Sequence, residues 1–442
     1  MQNTISSIGS VRLPFLTTLV GSATALAMIG LAPNLQAQGQ TPAPPQTAPI
    51  ALTGGTIHTV SGAPIENGTL VFEDGVITAV GRDAAIPAGA RRVDVSGRHV
   101  FPGLIDADSD MGLYEIGAVD VTVDLNELGN LNPNVRANVA VNPESRHIGT
   151  ARSQGVLLTV TSPNGGLISG ISSAMMMEGW TWEEMTLRPE VALIVNWPSP
   201  FGGGNAQARY ERQIRELREA FANARAYNRA LRAAEAGQAP PIDTDPRWEA
   251  MIPAVMGEMP VVVTANELRQ IQDALTWAQE EEVRLVIRGG RDAHFVADRL
   301  ARTGTPVLIT SVLSSPSRAW EAYDSEYSLP AELYRAGVRF AIAGPSSAPY
   351  ATRLPYEAGA AIAFGLPERE AIRAVTLYPA QHLGIADRVG SLEVGKDATL
   401  LITTGSPLEY GTTIEQAYIQ GREVDMVDAH RHFFEKYRQR LR

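Results

Sequence analysis

Between Pro102 and about residue 385 the chain alternates short β-type apolar runs with helical segments, and this alternation restricts the fold more than any other feature. Strand-then-helix repeats argue for βα units, because each helix carries the chain back so that the next strand can lie parallel to the last. Candidate strands are residues 155–160, 191–195, 260–263, 284–287, 306–310 and 338–342. Helices are expected at about 266–282, 291–302, 329–335, 355–364 and 367–383. With Leu104 and Ile105 as a first strand and one more expected within 117–140, the count approaches that of a (β/α)8 barrel. A doubly wound open sheet is the competing arrangement, but no G-x-G-x-x-G follows an early strand.

Both ends of this region have a different texture. Residues 51–101 consist of short β segments cut by turns, with the hairpin signal Glu73-Asp74-Gly75 between valine-rich runs. Residues 386–426 return to the same texture, so one small β-sandwich domain built from both chain ends is the economical arrangement. The expected fold class is therefore α/β, a TIM-like (β/α)8 barrel at 102–385 plus that β domain, followed by a basic helical tail at 427–442. His58 and His99 fall inside β segments and read as structural. His430 and His432 lie in the tail, outside the barrel, and read as decoys for metal binding.

From Ala206 to Glu235, Tyr210, Ile214, Leu217, Phe221, Ala224, Asn228 and Leu231 step alternately by four and three. That spacing predicts one long helix with a single core-facing stripe, packed on the barrel wall or also meeting another subunit. The pairs Glu211/Arg215 and Arg215/Glu219 support it on the outer face.

At the N-terminus, Arg12, an apolar run from about Phe15 to Ala32 and L-Q-A before Ala37 have the form of a secretory signal at 1–37. A membrane anchor is the alternative, but Gly21, Ser22 and Thr24 interrupt the run and Pro33 ends it. Export to the periplasm is expected, and cleavage would take the formal charge from -11 to about -12. Residues 38–50 read as a Pro-rich tether, with folding expected to begin near Ala51.

The 48 acids against 37 bases are dispersed, and no basic block suggests a nucleic-acid partner. There is no cysteine, which removes disulfides and thiolate ligands. Lysine occurs only at 396 and 436. Any metal ligand in the barrel must therefore come from Asp, Glu or the three histidines His147, His294 and His382.

The first barrel strand delivers the largest concentration of acids, in V-F-P-G-L-I-D-A-D-S-D at 100–110. Alternation along an extended strand allows Asp106, Asp108 and Asp110 to face one way, at the strand end where barrel enzymes place their chemistry. Together with Gly112 they have an outline like a calcium loop, but the glycine falls one residue late and Gly117 occupies the closing Glu position. A different oxygen-rich Ca2+ or Mg2+ site recruiting Glu115 stays open. The glycine-rich S-P-N-G-G-L-I-S-G at 162–170 is expected at the mouth, without the Gly-Lys-Ser/Thr ending of a phosphate loop.

Three segments, V-F-P-G-L-I-D-A at 100–107, A-V-T-L-Y-P-A-Q-H-L-G at 374–384 and G-I-A-D-R-V-G-S-L-E-V-G-K-D-A at 384–398, resemble the amidohydrolase superfamily, and within it exported imidazolonepropionase-like and prolidase-like members. The resemblance spans about Ala51 to Val424 and implies metal-dependent hydrolysis of amide or other C–N bonds. It implies His-x-His after the first strand, often a carbamylated Lys after the fourth, a His after the fifth and another after the sixth, and an Asp after the eighth. Such residues hold a divalent ion that acidifies a bound water. In this chain those positions carry Asp108 and Asp110, Thr264, Arg288 or Gly289, and Ser346, and no lysine lies between Pro102 and Ile385.

The ligand-pocket candidates are thus Asp108, Asp110, Thr264, Arg288 and Ser346. Two facing carboxylates repel unless a cation joins them, and Arg288 is the candidate cation. Ser346 has no histidine base nearby in sequence. The first reading is an exported homologue whose standard metal site is lost, with no cofactor expected, binding a ligand or supporting a partner such as a related amidohydrolase. The alternatives are an active C–N hydrolase using Asp108 and Asp110 with an unorthodox divalent metal, and a structural subunit of an exported complex.

Overall fold

The computed structural model describes residues 41–441. The expected signal at 1–37 lies outside the described residues. Among those described, no helix is long and apolar enough to cross a membrane.

The first sheet is built from both ends of the described chain. β1 (Ile50–Ile57), β2 (Ile65–Glu73), β3 (Val76–Gly81), β4 (Arg91–Asp94) and β5 (His99–Pro102) come before the barrel. Three more strands follow it, at Leu400–Thr403, Ile414–Ile419 and Arg422–Val424. Leu400–Thr403 pairs antiparallel with β5, which places the C-terminal strands beside the N-terminal ones. Phe72 on β2 and Tyr418 on the 414–419 strand meet edge to face at 5.1 Å, although three strands separate them in hydrogen-bonding order. The sheet is therefore curled into two facing layers around Leu52, Ile57, Val100, Leu400 and their neighbours. His58 and His99, 3.0 Å apart between Nε2 and Nδ1, lie at its edge with His58 stacked on Phe101.

Where a free tether is expected, residues 41–49 are held against the body. Gln46 Nε2 donates to Phe72 O at 2.9 Å, Gly75 N–H donates to Gln46 Oε1, and Ala43 is buried with its N–H on Glu178.

The second sheet is the barrel: β6 (Leu104–Ser109), β7 (Val156–Thr161), β8 (Ile168–Met176), β9 (Thr186–Asn196), β10 (Val261–Ala265), β11 (Leu285–Gly289), β12 (Val307–Ile309) and β13 (Phe340–Ile342), hydrogen-bonded in chain order. Its two ends meet where Asp110 N–H donates to Ser346 O at 2.8 Å, just beyond β6 and β13. Nearly every strand residue is buried, as in a barrel filled with side chains and jacketed by helices.

Two expectations are corrected here. Residues 117–140 hold no strand; they form turns, two short 3-10 segments and isolated bridges. The missing strand is β8, which follows the glycine-rich loop and runs antiparallel to both β7 and β9. The barrel therefore has one reversed strand, whereas the alternation of sequence texture implied parallel units throughout. Gly170 shows why the reversal fits: its φ is +138°, and a Cβ there would sit 2.6 Å from Val135 O. The helix expected at 367–383 is two helices, Glu368–Ala374 and Leu377–His382, broken at Val375 and Thr376.

The long helix spans Ala206–Glu235 and buries Tyr210, Leu217, Phe221, Ala224 and Asn228. Phe221 meets Trp277 edge to face at 5.0 Å, and Tyr210 receives a hydrogen bond from Trp197 at 3.4 Å, so the stripe packs on the barrel wall.

Candidate functional site

β6 reads Leu-Ile-Asp-Ala-Asp-Ser and is wholly buried, with Asp106 and Asp108 two residues apart on one side of the strand. β10 and β11 pair in register so that Thr264 lies opposite Arg288. Gly289 has φ +93°, and a Cβ there would come within 2.3 Å of Asn266 Oδ1; Arg288 is the residue of the pair that supplies a side chain to the mouth.

These residues assemble into one hydrogen-bonded set. Arg288 Nη1 donates to Asp108 Oδ1 at 3.0 Å, its Nε donates to Thr264 Oγ1 at 2.8 Å, and its Nη2 donates to Asn196 Oδ1 at 3.2 Å. Ser346 Oγ donates to the other Asp108 oxygen at 2.7 Å. Asn196 then donates to Gly166 O and to Ser169 Oγ, each at 3.0 Å, which ties the glycine-rich loop to the set. Asp108 is 2% exposed and Arg288 8%, so the ion pair is largely withdrawn from water and its Coulomb attraction is weakly screened.

Asp110 does not join them. Lying one residue past β6, it accepts the Ala348 N–H instead. Burial and the Asp108 charge raise its pKa to about 6, while the Ala348 bond and nearby His147 work the other way. Asp106 lies deeper, accepting Gly344 N–H at 3.3 Å and Asp108 N–H at 3.4 Å. Burial first, and then the Asp108 charge, push its carboxyl up to about 8, so it is mostly neutral at pH 7. A neutral Asp106 leaves Arg288 to balance a single negative charge at Asp108.

The other histidines sit elsewhere. His147 is near Asp110 and 3.3 Å from Glu115 O. His294 is in a 3-10 turn against Phe295. His382 is buried, held by Phe340 O at 3.2 Å, and its pKa is lowered to about 4 by burial. His430 and His432 are on the exposed tail helix.

Asn196 is the member the sequence reading missed. It ends β9, fourth in the barrel order, at the position where the resemblance implies a lysine. Its signal was a polar residue closing the apolar run V-A-L-I-V, at the strand end where barrel chemistry collects.

This donor set does not fit a hydrolytic metal. Such an ion needs three or more nitrogen or oxygen ligands converging on a point, with a position left for water. Thr264, Arg288 and Ser346 supply no carboxylate or imidazole, and both Asp108 oxygens are already engaged. Among the described residues, no group of three or more His, Asp, Glu or Cys could hold an ion.

Comparison with known proteins locates the chain among its relatives. The amidohydrolase family model matches residues 346–435. The amidohydrolase tasK of Hapsidospora irregularis is 25% identical over 393 residues, covering 80% of this chain; the chain spans only 39% of that relative's length. An imidazolonepropionase of Mesorhizobium japonicum is 25% identical over 382 residues, covering 76% of this chain and 86% of the relative. The crystal structure of an amidohydrolase from Thermotoga maritima superposes with a TM-score of 0.76 at 25% identity, covering 85% of this chain and 99% of that one. A prolidase solved with N-methylphosphonate-L-proline shares the fold at a TM-score of 0.55 and 16% identity. With its barrel, its two-ended β domain and the acids closing the first barrel strand, the chain belongs to the amidohydrolase superfamily.

Proposed function

We propose that this protein is an exported member of the superfamily that has given up metal-dependent hydrolysis and supports a partner or holds a ligand. The observation that carries this reading is the Arg288–Asp108 pair at 3.0 Å. A guanidinium stays charged at any physiological pH, so a divalent ion entering here would face a fixed positive charge already bonded to its prospective ligand. The cation that a family member takes from solution is, on this reading, part of the chain. The polar groups around it are mutually engaged, which leaves no obvious base to activate a water at Asp108.

Metal analysis of the purified protein tests this. Less than stoichiometric Zn, Mn or Fe is expected, unchanged in an Asp108→Ala/Asp110→Ala double variant. Stoichiometric metal that disappears in that variant, together with amidase activity, would establish the alternative of an active C–N hydrolase. One observation favours that alternative: Asp110 is outside the Arg288 network with a pKa near 6, in the range of a general base.

Export is proposed from Arg12, the apolar run after it and the small-residue site at Ala37. Intact mass of the protein recovered from the periplasm checks it, with an N-terminus at residue 38 expected. The partner role is tested by mixing the protein with a metal-binding relative and measuring mass in solution; two unassociated species would count against that pairing.

A further inference from the structure

Two surfaces of this molecule each lack a partner of their own, and their chemistry is complementary. The first is the excursion between β6 and the helix Arg146–Arg152. It exposes Ile116, Val119, Val121 and Leu128, the last two at 94% and 96%. Asp120, Asp124 and Glu127 stand exposed among them, and no basic residue occurs anywhere in 111–135. Among the described residues none of these three acids makes an ion pair. Apolar side chains this exposed and this close together mark contact surfaces more often than free ones.

The second surface is the tail helix Ala429–Arg438, which buries no residue at all. His430, Phe433, Phe434 and Tyr437 are spaced by three, one and three, and so form one stripe. Its three aromatic residues are 43%, 62% and 57% exposed. The remaining faces carry Arg431, Lys436, Arg438 and Arg440 against the single acid Glu435. A helix of ten residues is marginal in water by itself, and this one has no core contact to hold it.

Both surfaces are rooted on the same short helix. The acidic excursion runs into the start of Arg146–Arg152, and Ser153, just past its end, donates to Asp428 at the N-cap of the tail helix at 3.0 Å. Seven helical residues span about 10 Å, yet within one molecule the two surfaces stay exposed. That arrangement suits a two-fold contact, in which each copy gives its tail and receives the other's.

We propose that the basic aromatic tail helix of one copy docks on the acidic apolar 116–128 segment of a second copy, reciprocally, to form a homodimer. A specific dimer buries about 800 Å² per partner, more than one ten-residue helix supplies, and reciprocity doubles the contact. An anionic membrane surface would also attract this helix, but it would repel the acidic segment beside it and a chain of net charge -11. A second copy presents the matching charge and the matching apolar surface together. The inference deepens the partner role proposed above by naming the partner. It is read from mass in solution, so it stands or falls separately from metal content.

Light scattering on the full mature protein is the test, with melting temperature as the folding control. At low salt the wild type is expected at twice the monomer mass. An Arg431→Glu/Lys436→Glu/Arg438→Glu/Arg440→Glu variant and an Asp120→Lys/Asp124→Lys/Glu127→Lys variant are each expected to be monomers with unchanged melting. Combining both sets in one chain restores the complementary charges and is expected to restore the dimer. A monomeric wild type, a dimer that survives both single-side variants, or a combined variant that stays monomeric overturns the proposal. Sedimentation of a monomeric wild type with vesicles containing phosphatidylglycerol, but not with phosphatidylcholine vesicles, would assign the tail to a lipid surface instead.

Discussion

Asp108 accepts hydrogen bonds from Arg288 and Ser346 on its two oxygens, and those two bonds have different worth. Removing Arg288 strands a buried carboxylate, whereas removing the serine hydroxyl leaves that carboxylate still paired. Arg288→Ala is therefore expected to cost about 3–5 kcal/mol and Ser346→Ala about 1 kcal/mol, measured by denaturant unfolding. Arg288→Lys is expected to fall between them, because an ammonium cannot bond Asp108, Thr264 and Asn196 with the planar fork that spans them here. Asp106 gives a pH signature. Its folded pKa of about 8 lies above the ordinary 3.8, so its contribution is full below pH 4 and is lost as pH rises towards 8. Asp106→Asn removes that dependence, and its stability relative to the wild type is expected to climb between pH 4 and pH 8 and then level off. A difference that stays flat across thermal melts in that range would show that Asp106 ionises normally.

Among the elements, the long helix Ala206–Glu235 was the most legible in sequence and β8 the least. Thirty residues of unbroken helical period contain many repeats of the same signal, and a local periodicity is enough to recognise them. β8 reads I-S-G-I-S-S-A-M-M, with four small residues before its methionines and a positive-φ glycine inside it. Nothing local marks it as a buried strand, because both its faces are covered by neighbours far away in sequence. The valines of 117–140 mimicked strand alternation, yet most of that stretch is exposed and turns satisfy much of its backbone. The same distinction predicts mutational cost along the helix. Phe221→Ala, fully buried against Trp277, is expected to cost about 3–5 kcal/mol, and exposed Arg215→Ala to stay within about 0.5 kcal/mol, both read from the urea midpoint.

For the whole molecule, the β domain needs both halves of the chain. Leu400–Thr403 sits in hydrogen-bonding order between β5 and the strand at 414–419, so removing it exposes the edge of β5 and half of a core that includes Leu52 and Phe72. A chain ending at Asp397 is expected to lose cooperative unfolding in a circular-dichroism melt even though every barrel strand remains. The sequence by itself determined the fold class, the long helix, the shared β domain and the identity of the residues at five barrel positions, because each is written in local period or in a contiguous motif. Only the tertiary structure decided the reversed β8, the recruitment of Asn196, and the separation of Asp110 from the Asp108–Arg288 pair. Those depend on which strands become neighbours in the closed barrel. The three acids of V-F-P-G-L-I-D-A-D-S-D look equivalent in sequence; closure gives one a guanidinium, one a backbone N–H and one a buried position where it holds its proton.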